Sequence, residues 1–229
     1  VWIKYGDLIL TTTVAGRTWD YNRSLGRYLG GADGPGPESF VQPIKVAVGP
    51  DNTIYVLNRG MESTLEGPPM APRVFGVRIG IFSLGLEPGD EEFVNEFSAY
   101  GDQPGQIMWP AGIAINRHGI IYVTDEWLNR ISVFDRTGTF LTTLGSYGSG
   151  ENQFNRPSGI CTDNDDNIFI VDSLNHRIQK LDSDGSVITT WGSYGAEEGE
   201  FNSPWGISLD KNGHIYVADH KNHRIQKFD

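Results

Sequence analysis

A chain of 229 residues, 38% hydrophobic and 21% charged, can bury a sizeable core and reads as one globular domain, residues 1–229. It has no run of about 18 apolar residues to span a membrane, and its single cysteine excludes an internal disulfide. A formal net charge of −11 makes nucleic acid an unlikely partner, because phosphate recognition needs a basic face, and the compartment is not readable.

Residues 7–14, Asp-Leu-Ile-Leu-Thr-Thr-Thr-Val, read as one strand. Residues 15–40 read as a Gly- and Pro-containing connector in which the charges of Arg17, Asp20, Arg23, Arg27, Asp33 and Glu38 cancel. Four strand-like runs follow, 44–48, 53–57, 78–82 and 93–97, with an insertion at 61–73 between the second and third. From Pro110 the chain becomes regular. PAGIAINRHGIIYVTDEWLNRISVF (110–134), PSGICTDNDDNIFIVDSLNHRIQKL (157–181) and PWGISLDKNGHIYVADHKNHRIQKF (204–228) are copies of one unit. Pro110, Pro157 and Pro204 stand 47 residues apart, as do Asp125, Asp172 and Asp219, and Arg130, Arg177 and Arg224. A period in the forties with four strand-like runs predicts an all-β fold, a β-propeller of four-stranded antiparallel blades; helical repeats of that length would show a 3.6-residue period instead. The last unit carries three runs before Asp229, so the 7–14 strand is expected to supply its fourth and close the ring.

The string Pro-x-Gly-Ile, a Gly or Asn turn, Ile-Tyr-Val-x-Asp and then Asn-His-Arg-Ile resembles the NHL repeat. Asn175-His176-Arg177-Ile178 and Asn222-His223-Arg224-Ile225 carry the resemblance most closely, and Leu128-Asn129-Arg130-Ile131 has its Asn one place late. The resemblance implies a propeller and says little about activity, since propellers host many. NHL propellers usually have six blades, so four readable repeats leave open a four-bladed ring, two chains sharing one ring, or a portion of a six-bladed one.

In an up-and-down meander, the loops between strands two and three share a face with the inter-blade crossings. The 15–40 connector and the 61–73 insertion both fall there, and variable loops on a rigid scaffold are where binding usually sits. The recurring Asp and Arg columns, with His176 and His223, read as structural because the fold demands them in each clear copy. Residues that do not recur are the better candidates: Arg59, Glu126, Trp127, Trp205 and His220. Aromatics mixed with charge suit a protein, peptide or glycan ligand, which gives a binding or interaction scaffold.

No nucleophile elbow, P-loop or paired-cysteine motif is present, so no catalytic residue, metal ligand or cofactor is predicted. Cys161 shares its column with Ala114 and Ser208 and reads as a small packing residue; Asp163-Asn164-Asp165-Asp166-Asn167 reads as a turn rather than a calcium loop. The alternative is a metal-dependent lyase or lactone hydrolase at the channel mouth. The chain is similar in its repeats to propellers of the amidating-lyase family, which implies zinc histidines after the repeat proline, where Ile44, Ala111, Ser158 and Trp205 stand here. Gluconolactonase-like propellers hold a channel calcium through Glu, Asn and Asp; for that, Glu126 with Asp125, Asp172 and Asp219 would have to converge, and no matching motif is present.

Overall fold

The computed structural model describes residues 11–14, 17–20, 42–62, 74–84 and 92–229. A hairpin of β1 (Thr11–Val14) and β2 (Arg17–Asp20) comes first. Four antiparallel sheets follow in a propeller arrangement. Blade I holds β3 (Pro43–Val48), β4 (Ile54–Glu62), β5 (Val74–Ser83) and β6 (Glu92–Phe97). Blade II holds β7 (Pro110–Ile115), β8 (Ile121–Asp125), β9 (Arg130–Phe134) and β10 (Phe140–Leu144). A short parallel pair, β11 (Ser146–Tyr147) with β12 (Gln153–Phe154), lies in the crossing to blade III. That blade consists of β13 (Pro157–Thr162), β14 (Ile168–Asp172), β15 (Arg177–Leu181) and β16 (Val187–Trp191). Blade IV has three strands, β17 (Gly206–Leu209), β18 (Ile215–Asp219) and β19 (Arg224–Phe228). No helix among the described residues is long and apolar enough to cross a membrane.

The second strands of blades II and III are buried on both faces because each face meets a different neighbour. Ile121 and Val123 join blade I residues Tyr55, Leu57 and Ile79 in one cluster, while Tyr122, Ile131 and Val133 join blade III residues Ile160, Ile168 and Ile170 in the next. The two-residue period of a strand thus divides its side chains between two interfaces. A third cluster, with Phe169, Ile178, Phe201 and Val217, joins blades III and IV. Fully buried Ile107, Phe154 and Phe201 plug the three interfaces from the inter-blade crossings.

The glycine of Pro-x-Gly-Ile marks where inner strands meet. A Cβ on Gly112 would lie 2.6 Å from the Ser158 carbonyl oxygen, and one on Gly159 2.7 Å from that of Trp205. The Gly159 amide donates to that same Trp205 oxygen at 2.8 Å, so backbone approaches backbone with no room for a side chain. Gly206, the counterpart in blade IV, meets only the Ala218 side chain, at 3.6 Å.

The end blades show the same asymmetry. Ile131 and Ile178 are 0% exposed, yet their counterpart Ile225 is 66% exposed; Ile113 is 7% exposed, and its blade I counterpart Val46 is 60%. Four blades here form three interfaces. The outer flanks of blades I and IV carry interface residues that no described sheet covers.

Three expectations are corrected. Thr11–Val14 pairs with Arg17–Asp20 and not with β19, so among the described residues the N-terminal strand does not close the last blade. Part of the expected 15–40 connector is therefore strand. The reason is proximity: the register joins Val14 to Arg17, and closing so short a loop costs far less chain entropy than pairing with a strand some two hundred residues away. Part of the expected 61–73 insertion likewise extends β4 and β5, which stay paired out to Glu62 and Val74. Residues 1–10, 15–16, 21–41, 63–73 and 85–91, including the rest of the connector and the tip of the insertion, lie outside the described residues.

Replacing Ile178 by Ala should cost about 2–5 kcal/mol in denaturant unfolding, as for a deleted core side chain. Replacing Ile225 by Ala should cost less than about 1 kcal/mol, since its side chain is already in water. Equal costs would mean that blade IV's outer flank is covered.

Candidate functional site

The Asp and Arg columns form a clamp that fastens each inter-blade crossing to its blade. Asp172, with no exposed surface, accepts the Asn155 amide at 2.7 Å, the Arg177 Nε at 2.7 Å and the Asn175 side-chain amide at 2.8 Å. Arg177 then donates to the carbonyl oxygens of Ser149, Gly150 and Gln153. Asp219 and Arg224 repeat the pattern with Asn202, Asn222, Ala196, Glu197 and Glu200. Burial pushes the Asp219 carboxyl pKa up, but the Asn202 amide and the Asn222 and Arg224 side chains outweigh it and hold it below the usual value. Asp125 instead takes four backbone N–H groups, from Met108, Trp109, Trp127 and Leu128, while Arg130 bonds the carbonyls of Asp102, Gln103 and Gln106. Removing one partner from a buried charged pair such as Asp172–Arg177 costs about 3–5 kcal/mol, which favours its return as Asp219–Arg224.

Immediately after this column the blades differ, and there the structure assembles a second, non-repeating cluster. Glu126, its side chain 1% exposed, accepts Arg59 Nη2 from blade I at 2.9 Å on one oxygen and Arg156 Nη2 at 2.6 Å on the other. Arg59 also donates through Nε and Nη2 to the Pro110 carbonyl and lies over the Trp109 ring at 4.9 Å. The cluster therefore joins blade I, blade II and the crossing into blade III. Above it is a cleft of ≈ 580 Å³ lined by Trp109, Glu126, Trp127, Asn129, Asn155 and Arg156. Trp127 is 70% exposed and Arg156 52% in its side chain, so an indole and a guanidinium face the solvent side by side.

Of the residues singled out in the sequence, Arg59, Glu126 and Trp127 come together here. Trp205 and His220 occupy blade IV: Trp205 gives its carbonyl to Ser158 and Gly159, and His220 opens a single 3-10 turn, His220–Asn222, where its carbonyl accepts the His223 amide. Neither lines the cleft. Trp109, Arg156 and Asn155 were missed. The signal for Trp109 and Arg156 was the column just before the repeat proline, Gln42, Trp109, Arg156 and Ser203, which varies as much as the column after it.

The residues of the enzymatic alternative are placed differently. Asp125, Asp172 and Asp219 are held in the clamps and do not converge on the channel, which is a ≈ 400 Å³ space lined by inner-strand residues such as Val46, Ile113, Cys161 and Ser208. Burial pushes the Cys161 thiol far up, away from the reactive thiolate. Asp163 caps its own turn, accepting the Asp165 and Asn167 amides at 2.9 and 2.8 Å.

The NHL repeat family matches residues 201–228, and a family described as a 6-bladed beta-propeller matches residues 112–191. The chain is built of NHL-type propeller repeats. A streptogramin B lyase is similar in structure, with a TM-score of 0.54 at 18% identity over 93% of this chain and 59% of that one. A gluconolactonase from Xanthomonas campestris gives 0.53 at 16% over 91% and 61%, and a chain of a nidogen/laminin complex 0.54 at 20% over 81% and 60%. At these identities the likeness is one of fold, and this chain spans roughly three fifths of their length. No curated protein matches it.

Within the NHL-type propeller, the histidine of the Asn-His element has a backbone role. His176 sits at φ 55°, and its Nδ1 accepts the Ser203 amide at 3.0 Å; Asn129, at φ 53°, uses its side-chain oxygen to accept the Arg156 amide at 2.8 Å. Accepting at Nδ1 requires the neutral ring. Burial, then the charge of Lys221, lowers the His176 pKa below its ordinary value. Its contribution to stability is full above the unfolded-state value and falls as pH drops through the folded one. His176→Asn, which keeps the acceptor, should therefore flatten the loss of melting temperature between about pH 6.5 and 5. An unchanged pH profile would show that His176 is not the group responsible.

Proposed function

We propose that this NHL-type propeller is a binding scaffold that presents its loop face to a ligand, with the contact centred on the Trp109–Trp127–Arg156 cleft. One observation carries the reading. Arg59 of blade I, Glu126 of blade II and Arg156 of the crossing into blade III are locked together at positions where the fold asks for nothing in particular, and the cleft beside them is lined by the exposed indoles of Trp109 and Trp127 and the exposed guanidinium of Arg156. Tryptophan and arginine are the side chains that most often dominate binding energy, because they offer large, rigid contact area and directed donors.

A protein, peptide or glycan ligand fits this chemistry, and the acidic chain disfavours nucleic acid. Glu126 has both carboxylate oxygens in charge-assisted bonds, which suits a strut better than a base.

The test is capture on combined glycan and peptide arrays by the wild-type protein, Trp127→Ala and Ile188→Ala, the last altering an exposed residue of outer strand β16. Trp127→Ala should reduce specific signals at least about tenfold with an unchanged melting temperature, as expected for a hot spot. Signals that survive Trp127→Ala but fall with Ile188→Ala would move the binding surface off the loop face.

A further inference from the structure

The cleft has a chemical sense of its own. Its floor sets two guanidinium groups against one carboxylate, leaving one positive charge uncompensated inside the cluster. Arg59 is engaged by Pro110, Glu126 and the Trp109 ring, so its position is fixed. Arg156 is different. One of its nitrogens is tied to Glu126, and its Nε and Nη1 meet no acceptor among the described residues. A guanidinium held at one corner with its other donors open is prepared for a planar anion, and a carboxylate takes such donors in parallel. Asp125 makes no ion pair with Arg156, because its carboxylate is turned to four backbone N–H groups.

The walls select what carries that anion. Trp127 and Trp109 offer indole surface within the same cleft, and a ring laid on an indole gains contact area that a short aliphatic acid lacks. The Asn155 side chain lines the same space and offers both a donor and an acceptor. The net charge of −11 sets the size of the charge: the field of the whole chain disfavours a polyanion, whereas one carboxylate in contact with Arg156 is recognised at short range.

We infer that the cleft binds a ring-borne carboxylate, stacked on Trp127 and paired with Arg156. This rests on the loop-face reading and adds the charge and shape of the ligand. A sugar acid and an aromatic acid share that chemistry, and the test separates them.

The experiment is isothermal titration of the 229-residue protein with D-glucuronate and with phenylacetate. Glucose serves as the ring without charge and acetate as the charge without ring. At least one ring acid should bind at least about tenfold more tightly than either control; the preferred one identifies the source. Arg156→Gln should abolish that preference, and Arg156→Lys should retain part of it, with melting temperatures confirming that both variants are folded. Failure of both ring acids to outbind the controls, or a preference unchanged in Arg156→Gln, overturns the inference. If neutral glycans or peptides then still lose binding on Trp127→Ala, only the carboxylate assignment has failed. If no ligand depends on Trp127, the loop-face reading has failed with it.

Discussion

The structure depends on a buried carboxylate that fastens one stretch of backbone to another. An inter-blade crossing has no more than a two-residue parallel pairing of its own, so most of its peptide groups must find partners elsewhere or be left unpaired beside the core. Asp172 and Asp219 take amide groups from the crossing, and Arg177 and Arg224 return three donors to its carbonyls. With the crossing fixed, Phe154 and Phe201 drop into the interface and the next inner strand starts in register. The clamp, the plug and the close-approach glycine recur together because each presupposes the others.

That division of labour explains why the candidate site stands beside the clamp and outside it. Asp125 positions the backbone of Trp109 and Trp127 through its N–H bonds, and its neighbour Glu126 is left to organise Arg59 and Arg156. A rigid support of this kind lowers the entropy lost when a ligand is gripped, since the two arginines are already ordered. The fold supplies precision, and the variable columns supply chemistry.

The blades were legible because a 47-residue period repeats the same residue types three times over, and Ile131 and Ile178 or Asp172 and Asp219 could be aligned without a structure. The cleft was legible only in part. Arg59, Glu126 and Trp127 stood out as departures in the column after strand two, but the partner column before the proline was not weighed, so Trp109 and Arg156 escaped notice. Recurrence also did not reveal what His176 does: a left-handed residue accepting an amide is a backbone matter that Asn129 performs equally well. The N-terminal strand was placed by resemblance to outer strands, and the competing local partner two residues beyond it was overlooked.

Contact between a ligand and the Trp109 and Trp127 indoles can be observed directly. The most direct measurement is a two-dimensional NMR spectrum of the six tryptophan indole N–H groups, assigned by single substitutions, while a library of ring-bearing acids and short glycans is screened. Binding on the loop face should shift the Trp109 and Trp127 signals first and leave Trp191, which lines a separate cleft with Asp163 and Lys211 between blades III and IV, unmoved. Binders that shift Trp191 and spare Trp109 and Trp127 would contradict it.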